Sequence, residues 1–330
     1  VSEDHPRDRF DLVPAPAAEA AFEDARTRGR LHHAWLLTGP EGVGKATFAY
    51  RAARRLLGAA PDPSRGVLGA RPDDPVSRLI SAQAHPDLLV LERLVEGGKL
   101  KKSISVDQAR DLPEFFSKSP SQAQARVAII DAADDLNVNA ANALLKILEE
   151  PPEHGVLLMV THAPGRLLAT IRSRCRRLTF APWTPTAVAG LLVRRGAADP
   201  DEADRLASMS GGSPGAALAL AGPATMEADQ LARRWVWEGV ADRAEALSIA
   251  DGFRGGDGPA KFERIMERLI AAVRERALEG GPPARDWADL WSELGEVPDR
   301  TTGLNLDRGD ALAGVLTALE RTRRRAAMRE

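Results

Sequence analysis

The chain has 330 residues, more than the roughly 250 to 300 at which one hydrophobic core stops growing, so two or three domains are expected. Its 44% hydrophobic and 28% charged content suits a folded globular protein, while a formal charge of −2 supplies no global basic field, so any DNA contact has to be local or shared with partners. The single cysteine, Cys175, excludes an internal disulfide framework and a cysteine-based zinc cluster, and the six histidines lack metal-ligand spacing.

The N-terminal stretch is charged and has no apolar signal core, and no apolar run approaches the roughly 20 residues of a bilayer span. A cytoplasmic protein without membrane contact is expected. His32 and His33 read as strand-entry residues rather than catalysts. Ala34 to Thr38 is a short apolar run of the kind that forms a buried parallel strand.

That run leads into Thr38-Gly39-Pro40-Glu41-Gly42-Val43-Gly44-Lys45-Ala46-Thr47, close to the phosphate-loop pattern G-x-x-x-x-G-K-[ST]. Glycines let backbone N–H groups wrap a phosphate, and the lysine reaches the outer phosphates. Gly39, Gly44 and Lys45 fit, and Gly42 lies within the loop. The hydroxyl that would hold Mg²⁺ is replaced by Ala46. Thr47 follows, but one residue along a helix is a rotation of about 100°, which turns its hydroxyl away. Phe48, Ala52 and Leu56 then share a helical face, so a strand precedes the loop and a helix follows it. This context favours a nucleotide site over a mere tight turn.

Residues 58 to 84 contain no cysteine and read as a proline-rich loop with one short helix. Ser105 to Gln108 has capping-box spacing. Val127 to Ile130 predicts a second buried strand, which ends at Asp131, where a Walker B carboxylate would hold Mg²⁺. The next residue, where an active ATPase of this kind has a water-polarising glutamate, is Ala132. Asp134 and Asp135 lie further on, and a turn or helix would aim them elsewhere. Asn137 to Glu150 predicts a helix stopped by Pro151-Pro152, and Val156 to Thr161 a third strand. Strands alternating with helices imply a doubly wound α/β domain.

Beyond Ala181-Pro182-Trp183-Thr184-Pro185 only helical patterns remain. They form a small module to residue 222 and, past Gly222-Pro223, longer amphipathic helices carrying Phe262, Met266, Leu269 and Val273, then Leu312, Leu316 and Leu319. The expected division is 1–181, 182–222 and 223–330. Trp235, Trp237, Trp287 and Trp291 suit a helical core or a subunit interface. Arg321, Arg323, Arg324 and Arg325 suit either a solvated helix end or contacts to DNA phosphates.

Asn142-Ala143-Leu144-Leu145-Lys146, Leu148-Glu149-Glu150-Pro151-Pro152, Thr161, Ser173-Arg174-Cys175 and Gly212-Ser213-Pro214-Gly215-Ala216-Ala217 follow in order. Together with the loop they resemble the AAA+ clamp-loader delta-prime family of bacterial DNA polymerase III, over most of residues 30 to 222. The resemblance implies an AAA+ P-loop α/β domain, a helical lid and an all-α collar. It implies that Arg174 is an arginine finger acting in trans on ATP bound by a neighbouring subunit; the alternative is that Arg172, Arg174, Arg176 and Arg177 cap a helix C-terminus. Thr161 falls at the sensor-1 position, or else satisfies local backbone.

Gly215 stands where hydrolysing relatives have the sensor-2 arginine. With Ala46 and Ala132 it makes a third lost catalytic group, so no independent catalysis is expected. The loop is left either binding ATP or ADP without hydrolysis or empty. Many relatives carry four zinc cysteines in the segment 58 to 84; no zinc is expected here. The implied partners are the gamma/tau and delta subunits, the beta clamp through delta, and primed DNA through the complex. Two alternatives stand: an active gamma/tau-type ATPase, with Thr47 or a water replacing the lost hydroxyl, and a passive scaffold. Nothing resembles a polymerase site of paired metal-binding carboxylates.

Overall fold

The computed structural model describes residues 5–10, 16–96, 99–101, 103–240 and 243–328, in two compact units, Val1–Ala217 and Leu218–Glu330. In the first, the strands are β1 (Ala34–Thr38), β2 (Leu88–Glu92), β3 (Val95–Glu96), β4 (Lys99–Leu100), β5 (Arg126–Asp131), β6 (Gly155–Thr161) and β7 (Arg176–Thr179). β3 and β4 pair as a short antiparallel ribbon. The other five form one parallel sheet in the order β2-β5-β6-β1-β7.

The three expected strands are therefore present at the centre of the sheet, and two further strands, β2 and β7, form its edges. The helices are α1 (Pro16–Thr27), α2 (Lys45–Leu56), α3 (Pro75–Ser81), α4 (Val106–Ser117), α5 (Val138–Glu149), α6 (Ala169–Arg172), α7 (Pro185–Arg194), α8 (Pro200–Met209) and α9 (Pro214–Leu220). The segment 58–84 has one short α-helix, α3, as expected. Ser105 caps α4 in a reciprocal box with Gln108, and Asn137 caps α5 through the Ala140 N–H.

Alternation along the central strands builds two cores. Trp35, Leu37, Val127, Ile129, Leu158 and Val160 face α1 and α2 with Phe22 and Phe48. Leu36, Ala128, Ile130, Leu157 and Met159 face α4 and α5 with Leu112, Leu144 and Leu148. Both faces are covered, which is why these strands read as continuous apolar runs instead of alternating ones. Among the larger side chains, burying one stabilises by roughly 1.5 to 3 kcal/mol, so the sandwich is held mainly by these layers.

Among the described residues the second unit has helices and no strand: α10 (Pro223–Trp237), α11 (Arg243–Asp251), α12 (Gly258–Leu278), α13 (Ala284–Gly295), α14 (Val297–Gly303) and α15 (Arg308–Ala327). Its core gathers Phe262, Met266, Leu269 and Val273 from α12 with Leu312, Leu316 and Leu319 from α15. Trp235 and Trp287 are buried there, whereas Trp291 is 42% exposed. Of the terminal arginines, Arg323 donates to the Trp237 carbonyl and Arg321 faces Glu293 at 3.7 Å. No helix among the described residues is long and apolar enough to cross a membrane.

Candidate functional site

The sheet order sets the site. In open α/β sheets ligands bind beyond the carboxyl ends of the strands. Here Thr38 and Thr161 are register partners at the ends of β1 and β6, and Asp131 closes β5 on the far side of β6. The loop from Gly39 to Gly44 leaves β1 at this edge and opens α2 at Lys45.

Two loop glycines are required by close approach as well as by backbone geometry. Gly39 has φ 147°, and a Cβ there would meet the Phe180 carbonyl oxygen at 2.2 Å. At Gly42, φ is 73° and a Cβ would meet Ser213 Oγ at 2.3 Å. The second contact comes from the Gly-Ser-Pro-Gly stretch, which is pinned to the loop. Ser213 Oγ donates to the Glu41 carbonyl at 2.9 Å, and the Gly215 N–H donates to the Gly42 carbonyl at 3.0 Å. Trp183 Nε1 adds a bond to the Val43 carbonyl at 3.0 Å.

Gly215 therefore sits on the tip of the loop. A Cβ at this position would lie 2.9 Å from Gly42 Cα, so the backbone here has no room for a side chain unless the loop moves.

Lys45 is buried, and its ammonium is turned onto its own loop. Nζ donates to the Gly39 carbonyl at 2.7 Å, the Pro40 carbonyl at 2.5 Å and His162 Nδ1 at 2.9 Å. An ammonium has three protons and no lone pair, so this arrangement uses all its donors and requires the His162 tautomer with its proton on Nε2. Burial pulls the lysine down to about 8, against the opposing pull of Asp131, Glu41 and Asp134, so it is still mostly charged at pH 7. His162 is also lowered, first by burial and then by Lys45 itself.

Asp131 carries the opposite shift. Burial, then the neighbouring charge of Glu92, raise its carboxyl to about 6, while His5 and Lys45 hold it down. Glu92 is its register partner at the end of β2. Ala46 packs against the core of α2, and Thr47 is buried one residue further round the helix. Ala46 carries no hydroxyl at the first turn of α2, and Thr47 follows one residue, a rotation of about 100°, further round the helix. Among the described residues no cluster of three or more His, Cys, Asp or Glu side chains could hold a metal ion.

Asp134, in the turn after β5, departs from the expectation that the turn aims it elsewhere: the short 3₁₀ turn swings it back toward the end of β6. Its carboxylate accepts from Thr161 Oγ1 at 2.7 Å and from the backbone N–H groups of His162 at 2.5 Å and Ala163 at 3.2 Å. It ties the end of β6, and so holds both Thr161 and His162 beside the loop. Asp135 points away, to Arg93 at 3.1 Å. Thr161 thus satisfies a local acceptor while standing beside Thr38 at the strand end. The one signal in the sequence for His162 was its place directly after Thr161.

Arg174 stands apart from this cluster, in the turn between α6 and β7. Its side chain is 35% exposed, with Nη2 at 3.0 Å from Glu149 Oε1 and Nη1 donating to the Thr170 carbonyl at 3.0 Å. Helix capping is thus realised in part by Arg174, and Arg172 donates to the carbonyls of Pro164, Gly165 and Leu167. Cys175 is pushed up to about 12 by burial, which makes it an inert thiol.

Residues 15–184 match a family model described as DNA polymerase III, delta subunit. A DNA polymerase III subunit delta' of Pseudomonas aeruginosa is 40% identical over 266 residues, 78% of this chain and 77% of that protein. A DNA polymerase III subunit gamma/tau of Mycobacterium tuberculosis is 34% identical over 184 residues, 56% of this chain but 30% of that protein. A solved DNA polymerase III gamma subunit-related protein of Thermotoga maritima covers 92% of this chain and 99% of its own, with TM-score 0.50 and 16% identity, a likeness of fold. The α/β domain with its phosphate loop, the short helices after it and the helical C-terminal unit have the AAA+ clamp-loader architecture. The chain belongs to the delta-prime subunit family of bacterial DNA polymerase III.

Proposed function

We propose that this chain is a non-hydrolysing clamp-loader subunit that closes a pentameric ring with gamma/tau and delta subunits and presents Arg174 to ATP bound by a neighbour. Through that ring it helps place the beta clamp, by way of delta, on primed DNA in the cytoplasm. The observation that carries the reading is a strand, glycine loop and helix of phosphate-loop form that present no side-chain hydroxyl at position 46 and no carboxylate at position 132. The strand, loop and helix are intact, yet Ala46, Ala132 and Gly215 offer methyls or hydrogen, and Lys45 is engaged by its own loop and His162.

An arginine finger acts by neutralising charge that develops on a transferred phosphoryl group, and is worth about 10³ to 10⁵ in rate at the site it serves. A side chain in a surface turn, partly exposed and held by weak contacts, suits a group delivered across an interface. For its own loop we propose nucleotide binding without turnover. ATP or ADP would be held by the backbone of Gly39, Gly42 and Gly44 and by Lys45, with Thr47, Asp131 and Thr161 around it. Lys45 would then exchange its bonds to Gly39, Pro40 and His162 for phosphate oxygens.

The test is DNA- and clamp-stimulated ATP hydrolysis by the reconstituted complex, wild type against Arg174→Ala, after equal assembly is established. The expected result is loss of the hydrolysis contributed by the site adjoining this chain, read as a missing single-turnover amplitude. Unchanged hydrolysis would leave a passive scaffold. Turnover of ATP by the isolated chain would point instead to an active gamma/tau-type ATPase.

A further inference from the structure

Leu148-Glu149-Glu150-Pro151-Pro152 and Ser173-Arg174-Cys175 are separate motifs in the sequence, and the fold joins them through one ion pair. Glu149 is the last residue of α5, which Pro151 and Pro152 prevent from continuing. Its Oε1 lies 3.0 Å from Arg174 Nη2, while Arg174 Nη1 is held by the Thr170 carbonyl. Both partners are reachable by solvent, with side-chain exposures of 51% for Glu149 and 35% for Arg174.

An ion pair in this setting is weak, because water screens the charges and ordering two long side chains costs entropy. A terminal phosphoryl group presents several anionic oxygens in a geometry that a guanidinium fork matches, and outcompetes a single exposed carboxylate. The contact is thus strong enough to set where Arg174 rests and weak enough to be exchanged.

We propose that Glu149 is a positioning residue that parks Arg174 on its own subunit, so that a neighbour's ATP gains the guanidinium only when the interface closes and the phosphate displaces the carboxylate. This rests on the reading of Arg174 as a trans-acting finger. Glu149 then acts as a brake on hydrolysis in the resting complex and has no part in the chemical step.

The experiment uses the full reconstituted complex with wild type, Glu149→Gln, Glu149→Asp, Arg174→Ala and the Glu149→Gln, Arg174→Ala double variant, each checked for assembly. Hydrolysis is measured with and without DNA and clamp. Glu149→Gln is expected to raise the unstimulated rate about two- to fivefold, the population change produced by losing one exposed ion pair. The stimulated kcat should stay within about twofold, since the phosphate has displaced the carboxylate there. Glu149→Asp, which keeps the charge on a shorter arm, should fall between, and the double variant should match Arg174→Ala.

An unstimulated rate that Glu149→Gln leaves unchanged overturns the parking role, as does a rise that persists without Arg174. A fall in both rates, like that of Arg174→Ala, also overturns it and makes Glu149 an orienting group. Should Glu149→Gln fail to assemble, Glu149→Asp alone decides by the same criteria. If Arg174→Ala itself changes nothing, the finger reading fails first, and the parking role with it.

Discussion

Asp134→Ala removes the acceptor that ties the end of β6 to the turn after β5. Three donors lose their partner: Thr161 Oγ1 at 2.7 Å and the backbone N–H groups of His162 at 2.5 Å and Ala163 at 3.2 Å. Bonds to a charged acceptor contribute about 1.5 to 3 kcal/mol each, but they share one carboxylate and are not independent. Thr161 is wholly buried, so water cannot easily replace its partner, whereas His162 and Ala163 are half-buried. A combined cost of about 3 to 4 kcal/mol is expected, well above a typical surface substitution. Because the chain has two compact units, a single global midpoint would mix their responses. Hydrogen exchange of the segment 155–163 in a urea series reads the first unit directly. Asp135→Ala, which breaks only the partly exposed pair with Arg93, is the control and should cost under about 1 kcal/mol. Equal losses for the two variants, or a loss under about 1 kcal/mol at Asp134, would refute the tether.

Asp131→Asn should stabilise the protein at neutral pH, because burial makes the charged carboxylate unfavourable and raises it to about 6. The native state binds the extra proton, so wild-type stability rises as pH falls from about 6 toward about 4, and the variant's advantage, about 1 to 2 kcal/mol after allowing for partial exposure, fades over that window in urea titrations. Placing an arginine on the loop tip with Gly215→Arg should not produce ATP turnover. Its Cβ, 2.9 Å from Gly42 Cα, should displace the loop at a cost of about 1 to 3 kcal/mol, and gain of hydrolysis by the isolated variant would contradict this. Glu19→Ala should be among the most damaging changes: it removes the buried carboxylate that faces Arg51, 2% exposed and bonded to Glu19 at 3.0 Å, at a cost of about 3 to 5 kcal/mol by denaturation. A loss under about 1 kcal/mol would show that the other partners of Arg51, the Phe10 and Arg65 carbonyls among them, suffice to hold it.

What local chemistry dictates could be read from the chain alone. The apolar runs at Ala34, Val127 and Val156 lie in strands buried on both faces, so their character is continuous and bounded by turns. The Ser105 box, the glycine loop between a strand and a helix, and the helix predicted from Asn137, which starts at Val138 with Asn137 as its cap, depend on residues a few positions apart. The methyls of Ala46 and Ala132 and the bare Gly215 are equally read from the chain, since the identity of a side chain requires no neighbour; that they mark lost hydrolysis is our proposal.

Edge strands and long-range partners were not legible. β7 buries chiefly Leu178 and owes its strand character to pairing with β1, while β2 is fixed by its register with β5. No spacing in the sequence announces that Asp134 reaches Thr161 and His162, that Lys45 turns onto His162, or that Glu149 meets Arg174. Each contact joins residues brought together by parallel strand order or helix packing, which periodicity does not encode. The sequence by itself determined which chemical groups the site has and lacks. Only the tertiary structure decided where those groups point and which neighbours occupy them, because directional bonds depend on distances set by the packed sheet.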